Sequence, residues 1–375
     1  MAASRNTSAQ RKVRYAVVGL GHIAQVAVLP AFEHAKKNSE LVALISGDAT
    51  KLEELSKTYQ VEHTASYEEY EACMKEAEVD AVFIALPNSQ HREFTVRAAE
   101  IGVHVLCEKP MAVTEDECKA MIHATDVNQV KLMIAYRLHF EAANLKALEV
   151  VRSGQLGEPR YFNSTFSRQV TEGNTRLKDE LGGGPLFDIG IYCINAARVL
   201  FGEEPLEVCA FSAHETDDRF REVPEMTGAL LRFSQGRLAT FVCSFGAANI
   251  DNYQIVGTKG DLRLLPAYTY HDEIRHELTI DGKLRRETFR TRDQFAPELL
   301  YFSDCVLNDQ RPEPSGEEGR MDVRVIQALN QSAKTGKAVK LDPTPREPQP
   351  SLAQDIYRPP VEKAETVHVT SPRGD

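Results

Sequence analysis

Long apolar runs are missing from this sequence. No stretch approaches the roughly 18 consecutive apolar residues that a membrane-spanning helix needs, so we expect no transmembrane segment. The N-terminal stretch Met1–Lys12 is polar and lacks the apolar core of a secretory signal, and Ser4-Arg5 is not a twin-arginine motif. We therefore expect a cytoplasmic protein whose residues 1–12 form a flexible N-terminus.

An excess of basic residues is also missing. Lys and Arg number 44 against 55 Asp and Glu, which gives a formal net charge of −11. This balance argues against nucleic acid and against membrane surfaces as partners. The seven cysteines are scattered and include no C-x-x-C pair, a pattern typical of reduced thiols in a cytosolic protein. No metal site is predicted.

A dinucleotide-binding pattern lies near the start of the chain. An apolar run from Val13 ends in the stretch Gly19–Ala24 (Gly-Leu-Gly-His-Ile-Ala); a helical run and a second apolar run, Leu41–Ile45, follow. In this context Gly19 permits the tight turn, Gly21 lets the backbone approach a pyrophosphate, and the helix start faces the phosphates. The alternative is a glycine turn in an α/β sheet that binds no cofactor.

Strands and helices alternate as far as residue 135. Near-continuous apolar runs such as Val79–Leu86 are typical of strands buried on both faces, and Thr114 with Glu117 predicts a helix start. The alternation predicts an α/β fold with a doubly wound parallel sheet. We assign residues 13–135 to a Rossmann domain that binds NADP.

The pattern changes after Tyr136. Eight period-2 runs between Arg160 and Arg290, joined by short turns, predict a large, open, mostly antiparallel sheet. Three further helices are predicted, over roughly Pro185–Phe201, Pro297–Leu307 and Glu317–Lys334. We assign 136–341 to an α+β domain for substrate binding and oligomerisation, because the uncovered face of such a sheet suits a homodimer or homotetramer. Residues 342–375 form a Pro-rich segment, interpreted as a disordered tail or as an arm on the protein's own or a partner's surface.

Ligands of an open α/β sheet bind beyond the carboxyl ends of its strands. The candidate cofactor-binding residues that follow from this rule are Gly19, Gly21, His22, Ile23, Ser46, Lys51, Pro87, Asn88, His91, Glu108, Lys109 and Arg137. An NAD site usually has an acid where this chain has Ser46. A hydroxyl there, with Lys51 one helical turn later, suits a 2′-phosphate and favours NADP over NAD. Asp48 leaves NAD as an alternative cofactor, because its carboxylate could turn toward the adenosine ribose.

The candidate catalytic residues are Lys109, Tyr192 and Asp188. Lys109 follows a buried strand beside the expected nicotinamide, and Pro110 suits a cis peptide that aims Lys109 inward. Asp188 and Tyr192 share one face of a helix with apolar neighbours, so they need a polar cavity. A nearby cation such as Lys109 would bring the pKa of a tyrosine from about 10 toward neutrality, as a general base requires. The alternatives are a surface lysine and a core tyrosine hydrogen-bonded to Asp188.

Together these motifs resemble the glucose–fructose oxidoreductase/inositol dehydrogenase (Gfo/Idh/MocA) family from Val13 to Leu341. The resemblance rests on Gly19–Ala24, Pro87–His91, Glu108–Pro110, Tyr136-Arg137 and the helix with Asp188 and Tyr192. It implies a Rossmann domain, a second domain whose open sheet builds dimers or tetramers, and Lys109 with the helix residues as the catalytic group. Many members have His in place of Tyr192 and a second Asp in place of Asn195. This chain is similar to the tyrosine-containing branch, with glucose–fructose oxidoreductase, NADP-dependent aldose dehydrogenases and dihydrodiol dehydrogenases.

Three hypotheses of function follow. The first is NADP-dependent hydride transfer to or from a sugar or cyclic polyol, above all oxidation of an aldose at C1 to a lactone. Tyr192 takes the proton, Asp188 binds a sugar hydroxyl, and Arg137 and His139 line the sugar pocket with Lys109; the loops Arg168–Leu181 and Tyr268–Glu273 set specificity. The second is a sugar–sugar oxidoreductase that recycles tightly bound NADP(H). The third is a catalytically silent dinucleotide-binding regulator.

Overall fold

A computed structural model describes residues 11–214, 217–369 and 371–372. The predicted flexible N-terminus lies almost wholly outside the described residues. The first sheet is parallel, in the order β3-β2-β1-β4-β5-β6. Its strands are β1 (Val13–Val18), β2 (Ser39–Ile45), β3 (His63–Ala65), β4 (Ala81–Ile84), β5 (His104–Glu108) and β6 (Leu132–Ala135). This order confirms the predicted doubly wound sheet, and the ends of β1 and β4 lie side by side at the point where the strand order reverses.

Helices cover both faces of this sheet. They are α1 (Leu29–Ala35), α2 (Ala49–Tyr59), α3 (Tyr70–Glu76), α4 (His91–Glu100) and α5 (Glu115–Val127). A π-helical turn, Ala24–Val28, leads into α1. The predicted start of α5 is confirmed, since Thr114 and Glu117 form a reciprocal capping box.

The second sheet is large and open, in the order β14-β13-β12-β11-β7-β10-β9-β8-β15. Its strands are β7 (Pro159–Ser167), β8 (Glu207–Ala213), β9 (Met226–Arg232), β10 (Leu238–Ser244), β11 (Ile250–Gly257), β12 (Gly260–Leu264), β13 (Ile274–Ile280), β14 (Lys283–Phe289) and β15 (Val339–Lys340). Neighbours pair antiparallel, apart from β7 with β10, which are parallel. The mostly antiparallel sheet is therefore confirmed, with the two-residue edge strand β15 as an addition.

Four helices accompany the second sheet: α6 (Ala142–Arg152), α7 (Ile191–Phe201), α8 (Ala296–Leu307) and α9 (Gly316–Thr335). A π-helical turn, Leu186–Gly190, precedes α7, so Asp188 lies on this turn rather than on regular α-helix. The segment Asp179–Phe201 is long and apolar enough to cross a membrane by length and composition, yet 83% of its most apolar window is buried in the fold.

Two of these helices return to the first sheet. Helix α8 packs against α1, β1 and β2, and its residues share a hydrophobic core with Tyr15 and Phe32. Helix α9 lies between the sheets, against α5 and β6 on one side and β8 on the other. Both helices fall in the predicted range 136–341, so that stretch of sequence also completes the cover of the Rossmann sheet.

The Pro-rich segment after β15 runs extended across the surface of the same chain. The sequence left two interpretations of this segment, a disordered tail and an arm on a protein surface. Its hydrogen bonds and ion pairs agree with the arm. They include an ion pair of Arg346 with Glu318 and a hydrogen bond from Gln354 to Glu313. We call residues 342–369 and 371–372 the C-terminal arm.

Candidate active site

The glycine turn after β1 has the backbone that a dinucleotide needs. Gly19 has a φ of +87°, and a Cβ there would lie 2.6 Å from the carbonyl oxygen of Ala85, so a side chain is excluded. At Gly21 an added Cβ would meet nothing within 4 Å. His22 and Ile23 form the first residues of the following helix. Open space beside bare backbone at a helix start fits a pyrophosphate.

The end of β2 fits a 2′-phosphate better than two bare ribose hydroxyls. The Asp48 carboxylate caps α2 by accepting from the backbone N–H groups of Thr50 (3.0 Å) and Lys51 (3.2 Å). The Lys51 N–H bond, with a contact from His368, holds the pKa of Asp48 below its usual value. This carboxylate is engaged in the cap, which leaves Ser46 and the Lys51 side chain at the position expected for the phosphate.

The residues that follow β4 make hydrogen bonds to other parts of the fold. Pro87 begins a short 3-10 turn, and Asn88 Nδ2 donates to the carbonyl oxygen of Gly182 at 2.7 Å, which ties the two domains together. His91 is fully buried, with each ring nitrogen 2.9 Å from a carbonyl oxygen, of Leu86 and of Pro110. Burial lowers the pKa of His91. The structure therefore places His91 behind the site, where it links the end of β4 to the turn after β5.

Lys109 and Tyr192 meet between the domains. The Lys109–Pro110 peptide is cis, as the sequence suggested. Lys109 Nζ lies 4.8 Å from the centre of the Tyr192 ring and donates to the Asp188 carbonyl oxygen at 2.9 Å. Arg137 Nη2 donates to the Tyr192 hydroxyl at 3.3 Å. The cation in contact with the phenol oxygen is thus Arg137, whereas the sequence analysis gave that role to Lys109.

Arg137 is held rigidly. Its guanidinium donates to Gln294 Oε1 and to the carbonyl oxygens of Tyr268 and Thr269. Only 6% of the residue is exposed. These acceptors fix both terminal nitrogens, so Nη2 presents a fixed positive charge to Tyr192.

Asp188 is the centre of a charged cluster. Its carboxylate forms ion pairs with Arg168 and with Arg176 Nε (3.1 Å), and Lys109 Nζ lies 3.9 Å from Oδ1. Burial alone would raise the pKa of Asp188, but these three cations hold it well below the usual range. No hydrogen bond between Asp188 and Tyr192 occurs in the described structure. The sequence analysis placed Arg168 and Arg176 in a specificity loop but missed their pairing with Asp188, which only the folded loop brings about.

Two carboxyl groups near Arg137 have raised pKa values. Burial raises the pKa of Glu108 to about 7, against the opposing effect of Lys109 and Arg137. Glu298, on α8, is fully buried, and neither carboxyl oxygen has a hydrogen-bond partner among the described residues. Burial, reinforced by Glu108, raises the pKa of Glu298 well above normal. Burial thus disfavours the charged form of Glu298, and Glu108 changes charge near physiological pH.

His139 lies at the back of the cavity that Lys109, Arg137 and Tyr192 line. It is 3% exposed, and its ring nitrogens lie 2.8 Å from Glu313 Oε1 and 2.9 Å from Asn195 Oδ1. Burial would lower the pKa of His139, but Glu313 outweighs it and raises that pKa. Both nitrogens are thus committed to protein partners, so His139 shapes the pocket wall from behind.

Comparisons with known proteins agree over both domains. Residues 13–136 match the family model described as an oxidoreductase family with an NAD-binding Rossmann fold, and residues 144–263 match the GFO/IDH/MocA C-terminal domain. The chain is 31% identical to a D-xylose 1-dehydrogenase [NADP(+)] of Haloarcula marismortui, over 90% of this chain and 95% of that protein.

Solved structures extend this likeness to the fold. An aldose-aldose oxidoreductase from Caulobacter crescentus, complexed with glycerol, superposes with a TM-score of 0.84 and 38% identity, over 88% of this chain and 100% of that chain. A 3-ketoreductase from Actinomadura kijaniata, in complex with NADP and TDP-benzene, superposes with a TM-score of 0.79 and 26% identity, over 86% and 98%.

Proposed function

The chain belongs to the Gfo/Idh/MocA family of oxidoreductases, and we propose that it transfers hydride between NADP and a sugar or cyclic polyol. The favoured reaction is oxidation of an aldose at C1 to a lactone, or its reverse. The observation that carries this proposal is the meeting of Lys109, Arg137 and Tyr192 at the carboxyl edge of the Rossmann sheet. The relatives named for xylose and aldose oxidation support the substrate class.

Each of these side chains has a different role in the oxidation of the alcohol. Tyr192 accepts the proton of the substrate hydroxyl, because Arg137 presents a positive charge to the phenolate oxygen. Lys109 orients that hydroxyl, and Asp188, ionised by its arginine partners, accepts a hydrogen bond from a neighbouring sugar hydroxyl. When bound, NADP supplies the acceptor for the hydride at C4 of its nicotinamide.

NADP is the cofactor that the residues fit. The open cradle at Gly21 suits the pyrophosphate, and Ser46 with Lys51 suits the 2′-phosphate once Asp48 is engaged as a helix cap. Relatives with NADP in their names support this assignment.

The central test removes the two catalytic groups separately. Tyr192→Phe loses the proton acceptor and Lys109→Met loses the orienting cation, so we expect kcat with an aldose and NADP to fall by roughly 10²–10⁴-fold. NADPH binding, measured by its fluorescence, is expected to persist in both variants.

Tyr357→Phe is the matched control, since Tyr357 is an exposed tyrosine on the C-terminal arm and its variant is expected to keep normal turnover. Near-normal turnover of either active-site variant contradicts the assignment.

A second candidate is sugar–sugar oxidoreduction with NADP(H) recycled in place. The 38% identity to an aldose-aldose oxidoreductase favours it. It predicts that cofactor purifies with the protein and that adding one aldose produces the absorbance of reduced nicotinamide without added NADP. Protein that purifies free of cofactor, and turns over only with added NADP, favours the simple dehydrogenase.

We further propose that the enzyme is a cytoplasmic homodimer or homotetramer. Seven cysteines, six of them buried, are free thiols, which suits a reducing compartment. The exposed apolar face of the second sheet, described below, supports the oligomer.

A further inference from the structure

The C-terminal arm is fixed to the protein at several points up to Arg358, and again from Val367. Its contacts lie in both domains. Arg346 pairs with Glu318 beside α7, Gln349 donates to Val199, and Gln354 donates to Glu313. Arg292 pairs with Asp355, and Arg358 donates to the His34 carbonyl oxygen. The arm therefore passes from the second domain to the outer side of α1. Its last described residues then turn to the cofactor cleft.

Val367 contacts the helix that follows the glycine turn. Its N–H donates to Gln25 Oε1 at 2.7 Å, and Gln25 Nε2 donates back to the Val367 carbonyl at 2.9 Å. The same Nε2 donates to the carbonyl oxygen of Leu20, inside the glycine turn. Gln25 is 1% exposed, so this side chain rigidly joins the arm to the backbone expected to hold the pyrophosphate.

His368 contacts the other half of the cofactor site. Its Nδ1 lies 3.2 Å from Asp48 Oδ2, at the cap of α2. Asp48 is the acid between Ser46 and Lys51, the two residues proposed to receive the 2′-phosphate. The imidazole thus lies at the carboxylate oxygen that the helix cap leaves free, beside the proposed 2′-phosphate position.

The arm then reaches the second domain. The carbonyl oxygen of Pro372 accepts from the N–H of Thr171 at 3.2 Å. Thr171 belongs to the loop that carries Arg168 and Arg176 to Asp188. Within a few residues, the arm therefore contacts the pyrophosphate turn, the 2′-phosphate position and the substrate loop.

We propose that residues 367–369 and 371–372 form a strap across the NADP cleft that slows cofactor release and favours NADP over NAD. The inference rests on the proposed function for its cofactor site. The strap joins both walls of the cleft by hydrogen bonds, so a bound dinucleotide leaves only after these bonds break. His368 Nδ1 lies beside Asp48 Oδ2, so the strap also occupies the carboxylate oxygen that would otherwise face the ribose of NAD.

The experiment compares the full chain with a chain ending at Thr366. The shorter chain keeps the anchors at Arg346, Gln354 and Arg358, so its fold is retained, which circular dichroism and thermal unfolding verify. We expect NADPH to dissociate about tenfold faster, or more, from the shorter chain, a change that corresponds to about 1.4 kcal/mol. The rate is measured by stopped flow, from the loss of NADPH fluorescence on displacement by excess NADP.

Two matched controls accompany the truncation experiment. A chain ending at Pro372 keeps the strap and is expected to release NADPH at the full-length rate. His368→Ala is expected to lower the ratio of NADP to NAD affinity, whereas Glu362→Ala, at an exposed arm position, leaves the ratio unchanged.

The outcomes separate the two proposals. Equal or slower release from the chain ending at Thr366 overturns the strap while NADPH binding still supports the proposed function. A full-length chain that binds no NADPH contradicts the proposed cofactor site and the strap with it.

Discussion

Arg137 shows how one buried side chain defines the site. Three oxygen acceptors from Gln294, Tyr268 and Thr269 fix its guanidinium, so the positive charge beside Tyr192 is preorganised before substrate arrives. A lysine in its place would present one flexible ammonium instead of a fork of donors. We therefore propose that Arg137 stabilises the phenolate and that Lys109 orients the substrate.

Glu108 gives the site a charge that changes near neutral pH. Its pKa of about 7 means a neutral carboxyl at pH 6 and a carboxylate at pH 8. The carboxylate attracts the cationic nicotinamide of NADP⁺ but not the neutral ring of NADPH. We expect the affinity for NADP⁺ relative to NADPH to rise roughly fivefold between these pH values, an interaction of about 1 kcal/mol in a partly solvated cleft.

Titration calorimetry at both pH values measures these affinities. Glu108→Gln should remove the pH dependence, while Glu100→Gln, at an exposed position ending α4, should keep it. A ratio in the wild-type protein that does not change with pH would contradict the prediction.

The candidate site could be predicted from the sequence where its residues lie next to an apolar strand or helix pattern. Gly19, Lys109 and Ser46 each follow an apolar strand directly, and Tyr192 lies on an apolar helix, so periodicity located them. The ion pairs of Asp188 were not predictable, because Arg168 and Arg176 reach it through an irregular loop with no periodic signal. The role of His91 depends on long-range carbonyl partners that no local pattern reveals.

At the scale of elements, a buried charge network joins α7, α9 and the arm. Arg198 is fully buried and donates to Glu204 (2.6 Å), Glu318 (3.1 Å) and Asp322. Arg346 of the arm pairs with two of the same carboxylates, those of Glu204 and Glu318. Burial would raise the pKa of Glu318, but Arg198 and Arg346 hold it low, at about 2.

Removing the central cation should destabilise the protein strongly. Arg198→Met leaves three buried carboxylates with insufficient positive charge, and breaking such a network costs about 3–5 kcal/mol of the free energy of unfolding. Urea denaturation followed by circular dichroism measures the loss.

Arg285→Met, at an exposed position on β14, is the control and should change stability little. An Arg198→Met variant as stable as the control would show that the network contributes nothing.

Most elements could be predicted from the sequence, with ends that shift by a few residues. The eight long strands of the second sheet were found because alternate residues face its core. Strand β15 was missed, since two residues carry no periodicity. The π-helical turn before α7 was also missed, because an apolar helix start does not specify how its backbone is wound.

At the scale of the whole molecule, the second sheet has an uncovered apolar face. Val242 on β10 lies opposite Gly228 on β9, which lies opposite Phe211 on β8, so these positions share one face. Phe211 is 74% exposed. The other exposed apolar side chains of this face are Tyr161, Met226, Leu230 and Leu238. A patch of this kind is typical of a subunit interface.

A charge on this face should break the oligomer. Val242→Glu would bury an unpaired carboxylate in the interface, so we expect light scattering after size exclusion to report the monomer mass. Val127→Glu, at a more exposed valine at the end of α5, should keep the wild-type mass. A monomeric wild-type protein, or an oligomeric Val242→Glu variant, would be incompatible with this interface.

The return of α8 and α9 to the first sheet has a consequence for protein synthesis. The Rossmann sheet is complete on the ribosome once residue 135 has emerged, yet one face lacks α8 and its edge lacks α9. The nascent chain must keep this apolar surface soluble until about 200 more residues have been made, some ten seconds or longer at typical elongation rates. We therefore expect roughly the first third of the chain to depend on chaperones during synthesis, and its cofactor site to be complete only when translation nears the end.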